Sequence, residues 1–508
     1  MSKQSGHAGH GSNDDTRAQQ RYDAIIIGAG QAGPALAGRL SDAGMKVAMI
    51  ERKQFGGTCV NTGCMPTKTL VASAYAAHLA RRAADYGVAL QGPVGVDIAR
   101  VKARADTVAS NARQGVERWL RGMANCTVLE GHARFTGPHE VTVDGQRLTA
   151  DRIFINSGGR AVIPDLPGID GVPVLTNVGM RELDVLPGHL VIIGGSYIGL
   201  EFAQMYRRFG SEVTLVEKGP RLIAREDEDI SDAIRVILEN EGIQLRMNAD
   251  DIRFAQAAEA STGFGAPVAS GASEIPGGHE SAQSSSNASQ AQGKIAVHTQ
   301  AGQPPLLATH VLVATGRRPN TDDLGLDAAG IATDAHGYIQ VDDSLATNVP
   351  GVWALGDCNG RGAFTHTAYN DFEIVAANLL DGQARRVSDR IPVYALYIDP
   401  PLGRVGMTEA AVRRAGKPAL VGIRPMTRVG RAVEKGETQG FMKVIVDAES
   451  RQLLGAAILG TSGDEAVHAL IDTMSAGAPY TTLRDTVHIH PTVSELIPTV
   501  LGDLKPLV

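Results

Sequence analysis

The sequence predicts an α/β protein: two doubly wound, parallel-sheet units and a separate C-terminal α+β domain. Three observations carry this reading. A strand, glycine turn, helix and second strand occur twice, from Tyr22 to Glu51 around Gly28-Ala-Gly30-Gln-Ala-Gly33, and from His189 to Glu217 around Gly194-Gly-Ser196-Tyr-Ile-Gly199. In both copies the closing glutamate lies 23 positions after the first glycine. The strands are continuous apolar runs, as in parallel sheets covered on both faces. From residue 390 onward the texture changes to antiparallel-looking strands and helices.

Taken in order, the polar segment 1–21 lacks an apolar h-region, so no secretory signal is expected. His7 and His10 within it read as part of a flexible tail rather than a metal site. After the first unit, residues 66–122 read as helical, followed by short strand-like runs to Ile155. After Glu217, Asp229 to Gly242 reads as a helix and Ile243–Arg246 as a strand. Residues 255–293 are rich in Ala, Ser, Gly, Gln and Asn without apolar periodicity, and read as an insertion looping into solvent. Val311–Gly316 resumes the strand pattern. In the last block Phe441–Asp447 and Leu453–Gly460 read as strands, and Asp464–Ala476 as helix.

A chain of 508 residues suits three domains at roughly 150 residues each. With 48 Lys and Arg against 55 Asp and Glu, the net charge of −7 argues against nucleic acid or anionic membrane as a partner. No run of 18 apolar residues appears, so no membrane span is expected, and the cytoplasm is the expected location. Glycine is in excess, 59 residues or about 12% against a usual ~7%. Only four cysteines occur, which excludes a disulfide scaffold.

The glycine turns have a chemical reading. In GxGxxG the first glycine permits the tight turn, the second lets the backbone approach a pyrophosphate, and the third lets helix pack on strand. The helix N-terminus supplies N–H groups and a positive dipole end. Glu51 and Glu217, closing each unit, are placed to accept from ribose hydroxyls. Two Rossmann-type dinucleotide sites follow; the alternative for the second copy is a degenerate unit that binds nothing. Ser196 stands where its middle glycine belongs and is expected to hold the backbone slightly farther from the phosphates. Glu217 repels a 2′-phosphate and favours NADH over NADPH, although Lys218 and Arg221 lie close by.

The most specific stretch is Gly56-Gly57-Thr58-Cys59-Val-Asn-Thr-Gly-Cys64-Met-Pro66-Thr-Lys68. In a regular helix, residues five apart are displaced ~7.5 Å along the axis, too far for a disulfide. Cys59 is therefore expected before, or in a distorted first turn of, the helix, and Pro66 in an early helical position. A thiol at a helix N-terminus has its thiolate stabilised by the dipole. The alternative is a pair of buried structural cysteines.

The chain resembles the class I pyridine nucleotide–disulfide oxidoreductases, which include dihydrolipoamide dehydrogenase, glutathione reductase and mercuric reductase. The likeness rests on the GGTCVNTGCMPTK run, Gly28–Gly33, Ile153–Gly158 before Pro164, Gly194–Glu201, Ala314–Pro319, Val352–Asp357 and His488-Ile-His490-Pro-Thr-Val-Ser-Glu495, and spans 22–505 apart from the insertion. It implies FAD on 22–160 and 315–388, NAD(P)H on 161–314, and a dimerisation domain over 389–508. Cofactor-binding residues would include Gly28, Gly30, Gly33, Glu51, Gly57, Thr58, Lys68, Gly158 and Asp357 for FAD. Gly194, Ser196, Gly199, Glu217 and Gly316 would serve the nicotinamide site.

The resemblance implies roles for further residues. Cys64 would be the thiol against the flavin and Cys59 the interchange thiol. Lys68 would pair with Glu201, and Tyr197 would cover the nicotinamide pocket. His490, 431 positions downstream of Cys59 and held by Glu495, would act as the base near that thiol; in this family the C-terminal domain delivers it from the partner subunit, so the resemblance implies a homodimer. His488 should face the opposite way on a strand-like stretch. Cys126 and Cys358 read as structural.

Among the members, the chain is most similar to bacterial reactive-chlorine-resistance flavoproteins, linked to hypothiocyanous acid and copper(II) reduction and hence to oxidative stress. The signs are Ile153-Phe-Ile-Asn156-Ser-Gly158, Leu222–Asp229, Pro400–Glu409 and Thr482–Glu495. Mercuric reductases share the redox motif and a serine at the Ser196 position, but carry a C-terminal cysteine pair, whereas this tail reads Gly502-Asp-Leu-Lys-Pro-Leu-Val508. Dihydrolipoamide dehydrogenase-like activity is the other alternative within the family. Outside it, a flavin-binding complex component without turnover would bind FAD and fail to be reduced by NADH.

Overall fold

The computed structural model describes residues 20–257 and 295–507. His7 and His10 lie outside the described residues, as does most of the expected insertion. The chain divides into two compact units, each assembled from three segments: 20–61, 111–160 and 318–389 form one, and 62–110, 161–317 and 390–507 the other.

In the first unit, parallel strands Gln20–Ile27, Val47–Glu51 and Cys126–Glu130 lie side by side, with Gln146–Ile155 and then Val352–Ala354 on the other flank. An antiparallel hairpin, Ala133–Gly137 with Glu140–Val143, extends the same sheet. Continuous burial of Ala24 to Ile27 and Val47 to Ile50 explains why these strands do not alternate. The helix Ala32–Asp42 covers one face together with Thr365–Leu380.

The second unit repeats the design. Gln244–Arg246, Glu212–Val216, His189–Ile193 and His310–Val313 form a parallel sheet in that order. The repeat extends to register: Ala24 lies opposite Val47 and Leu190 opposite Val213, an offset of 23 in both. The same unit holds the thiol-bearing helix Cys64–Arg81 and a six-stranded antiparallel sheet of Val393–Leu396, Leu402–Gly406, Leu453–Leu459, Phe441–Asp447, Ala419–Pro425 and Lys505–Pro506. One apolar cluster runs through it from Leu70 and Ala74 through Leu200 and Ala203 to Leu402 and Leu459.

Several sequence expectations are corrected. The first strand starts at Gln20, inside the expected tail, because Gln20 and Arg21 pair with Leu148 and Thr149. The 66–122 region is not one helical block; helices Cys64–Arg81 and Ile98–Arg121 are separated by a short turn and a non-helical stretch around Gly87 and Gly92. Gly87 and Gly92 both have positive φ, which stops helix propagation. Ala255 and Gln256, expected in the insertion, belong to the strand Arg253–Gln256 and pair with Ala296 and Ile295. Residues 487–489 around His488 are not a strand.

Candidate functional site

The two glycine turns are built to leave their helix starts open. At Gly28 (φ +104°) a Cβ would lie 2.3 Å from the Asn156 carbonyl, and at Gly33 2.3 Å from the Gly28 carbonyl. The second turn matches: a Cβ at Gly194 would lie 2.5 Å from the Ala314 carbonyl, and at Gly199 2.0 Å from the Gly194 carbonyl. Only glycine fits these close backbone approaches. Ser196 is the N-cap of the helix Tyr197–Phe209, with an extended backbone at φ −112°, so a serine there carries no strain.

Glu51 and Glu217 do more than face a ribose. Glu51 accepts from the Ala29 N–H at 2.9 Å and the Lys53 N–H at 2.8 Å. Glu217 accepts from Gly195 at 2.6 Å and Gly219 at 2.7 Å, at the same offsets along the chain. Each glutamate braces its own glycine turn, and its remaining lone pairs stay available for hydroxyl donors. Lys218 is exposed and Arg221 half-buried beside this second turn.

In the first unit, Asn156 is buried and donates from Nδ2 to the Gly28 carbonyl at 3.0 Å. Asp371 is buried and accepts from the Gly356 N–H at 2.8 Å and Asn359 Nδ2 at 2.9 Å, fixing the turn that carries Asp357. The Gly158 carbonyl accepts from the Asn320 N–H at 2.9 Å. In the second unit the Gly316 carbonyl accepts from the Val162 N–H at 3.0 Å. Gly57 opens the short helix Gly57–Asn61; its Cβ would stand 2.8 Å from the Gly30 Cα, and Thr58 beside it is exposed. These cradles fit dinucleotide pyrophosphates: glycine turns at the helix starts and a braced carboxylate at each.

Cys59 sits half-buried on that short helix, which Asn61 ties back to the Phe55 and Gly57 carbonyls. Cys64 is the exposed first residue of an 18-residue helix, with Gly63 as N-cap. The expected distorted first turn is thus a separate five-residue helix. Pro66 occupies the third helical position, where no N–H is needed.

One turn along from Cys64, on the same helix face, the Lys68 ammonium lies 2.6 Å from Glu201 Oε2. Glu201 is 5% exposed, on the helix that follows the second glycine turn. Its other oxygen accepts from the Tyr397 N–H at 3.1 Å, and the Tyr397 ring lies 4.8 Å under the Lys68 ammonium. Burial, with the nearby carboxylates of Asp464 and Glu201, holds the Tyr397 phenol above its usual range.

His490 and Glu495 form the other pair. Nδ1 of His490 lies 2.9 Å from Glu495 Oε2 and the side chain is 79% exposed. A carboxylate acceptor puts the proton on Nδ1 and leaves Nε2 as a base. His488 Nδ1 lies 3.0 Å from the Thr486 carbonyl. Cys126 and Cys358 are different in kind: burial pushes their thiols up to about 11 and about 12.

Residues 22–371 match the pyridine nucleotide-disulphide oxidoreductase family, and 393–501 its dimerisation domain. The chain belongs to this family. It is 36% identical to the probable pyridine nucleotide-disulfide oxidoreductase RclA of Escherichia coli, covering 96% of this chain and 99% of RclA. It is 32% identical to a dihydrolipoyl dehydrogenase of Thermus scotoductus, covering 93% and 95%. The solved structure of the HOCl-induced flavoprotein disulfide reductase RclA superposes with a TM-score of 0.81 at 35% identity, covering 95% of this chain and 99% of that one. A Cu(II) complex of that protein superposes with the same score.

As a pyridine nucleotide–disulphide oxidoreductase, the chain is a flavoenzyme that uses FAD and NAD(P)H. Among its described residues no helix is long and apolar enough to cross a membrane. Reasoning from sequence missed Tyr397, Asp371 and the bracing role of the two glutamates. The Asn156 departure was visible, but not its bond to the Gly28 carbonyl. The Lys68–Glu201 pair yields a stability prediction: Lys68→Met strands a buried carboxylate and lowers stability by about 3 kcal/mol, read in a denaturation midpoint. Adding Glu201→Gln should recover most of that loss.

Proposed function

We propose that the chain is an NAD(P)H-dependent flavoprotein reductase that passes two electrons through a redox-active Cys59–Cys64 pair to a sulfur-reactive oxidant. The observation that carries this is the thiol helix. Cys64 occupies its N-terminus, and Lys68, one turn on, is locked to Glu201 from the second dinucleotide unit. Positive helix-end potential favours the Cys64 thiolate. The chemistry FAD supplies when bound is acceptance of hydride from the nicotinamide and delivery of two electrons to a disulfide.

The chain's residues then act in sequence. The Cys59 thiolate attacks the electrophilic sulfur of hypothiocyanous acid, forming Cys59–S–SCN and releasing hydroxide. The Cys64 thiolate attacks the Cys59 sulfur, closing Cys59–Cys64 and expelling thiocyanate. With copper(II), closing the same disulfide supplies one electron to each of two ions. His490, oriented by Glu495, takes and returns the proton at Cys59 Sγ. Its exposure suits service to the thiol of a second copy, and the dimerisation-domain match over 393–501 supports a homodimer as the active form. Glu217 disfavours a 2′-phosphate and makes NADH the preferred reductant. The expected setting is the cytoplasm under oxidative stress.

Anaerobic NADH should bleach the flavin and raise a long-wavelength band from a thiolate against it. NADH turnover is then compared with hypothiocyanous acid, Cu(II), Hg(II), lipoamide and oxidised glutathione. Hypothiocyanous acid is expected to be fastest; a strong preference for lipoamide or Hg(II) overturns the substrate assignment.

A further inference from the structure

Two runs singled out in the sequence, Leu222–Asp229 and Pro400–Glu409, meet inside the second unit. The meeting place is one row across the antiparallel sheet. Tyr394 lies opposite Arg404, Arg404 opposite Ala457, and Ala457 opposite Lys443, so all four share a face. The small Ala457 leaves room for the two cations. Arg404 Nη1 reaches Asp227 at 3.4 Å and Glu226 at 3.5 Å. Lys443 reaches Asp229 and Glu409 at 2.6 Å and Asp227 at 3.5 Å.

Arg404 and Lys443 are 1% exposed, and Glu226 and Asp227 are 4% and 6% exposed. Both Glu226 oxygens, and Nε and Nη2 of Arg404, have no hydrogen-bond partner among the described residues. Charges this dry and this imperfectly paired are a weak source of stability. What they determine is the place of the loop that precedes the helix Glu228–Asn240.

The same row ends at Tyr394, whose ring meets the Tyr197 ring edge-on at 5.4 Å. Tyr197 is the first residue of the helix that receives the second dinucleotide; burial and the charge of Glu226 push its phenol up, and Arg225 and Arg404 oppose them.

We propose that Tyr394 and Arg404 are positioning residues for the nicotinamide cofactor: Tyr394 sets the Tyr197 ring, and Arg404 sets the loop beside it. This rests on the reading of the second unit as the NAD(P)H site. The C-terminal sheet thereby shapes a binding site whose cradle it does not itself contain.

The test measures the NADH dissociation constant of the FAD-loaded protein, from the concentration dependence of anaerobic flavin bleaching. Tyr394→Ala should raise it about threefold to tenfold, and Tyr394→Phe should restore it. In a Tyr197→Ala background the same Tyr394→Ala change should have little further effect. Arg404→Met combined with Glu226→Gln should raise the constant as well. Equal losses in both backgrounds, or an unchanged constant with only a lower melting temperature, would overturn the proposal. An unchanged constant in the Arg404 double variant does the same for Arg404. A wild-type flavin that neither NADH nor NADPH bleaches overturns the underlying reading along with it.

Discussion

Replacing Cys59 or Cys64 by serine is expected to retain FAD and to lower NADH-dependent turnover of a sulfur-reactive oxidant by a factor on the order of 10³ or more. The cofactor cradle does not depend on either thiol: Gly28, Gly33, Glu51 and Asn156 form it from backbone and their own side chains. The two variants should differ in a useful way. Cys59→Ser leaves Cys64 at the helix start, so the long-wavelength band should survive; Cys64→Ser should abolish it. Alkylation of the reduced wild-type protein at pH 8 provides the control. Cys126 and Cys358, with thiols pushed up to about 11 and about 12, should stay unlabelled, because little thiolate exists well below those values. Labelling of all four thiols in the folded protein would contradict the assignment of the redox pair.

The second large effect is expected at His490. His490→Ala should lower turnover with the oxidant by about 10² to 10⁴, the usual contribution of a positioned acid–base group. Flavin reduction by NADH should stay at the wild-type rate, since that half of the reaction uses the second dinucleotide unit. Glu495→Gln should give a smaller loss, because an amide still accepts from Nδ1 but no longer stabilises the imidazolium. If His490→Ala slows flavin reduction as much as turnover, the residue is not the base for the thiol. Mixing Cys59→Ser with His490→Ala subunits adds a direct check on delivery between copies. Mixed dimers carry one site with both residues intact and should regain part of the activity that each homodimer lacks.

How legible this was from sequence depended on the range of each interaction. The glycine turns, the register offset of 23 and the early position of Pro66 all follow from local geometry: sterics at φ > 0, helix pitch and strand alternation. The Lys68–Glu201 pair was reachable only through family resemblance, because 133 positions separate the two residues and nothing local joins them. Reading residues 488–490 as a strand failed because an alternation of His and Ile holds as a strand only if another strand pairs with it, and among the described residues none does.

By itself the sequence determined two repeated dinucleotide units, a cysteine pair beside the first of them and a C-terminal sheet of another texture. Each is specified by residues within about 30 positions, where chain connectivity limits the conformations available. The tertiary structure alone decided which side chains brace those parts. Tyr397 on Lys68 and Glu201, Asp371 under the Asp357 turn, and the Tyr394–Arg404–Lys443 row against Glu226 and Asp227 are all such cases. Pairings of this kind arise only once strand register puts distant residues on one face and burial removes the water that would otherwise satisfy their charges.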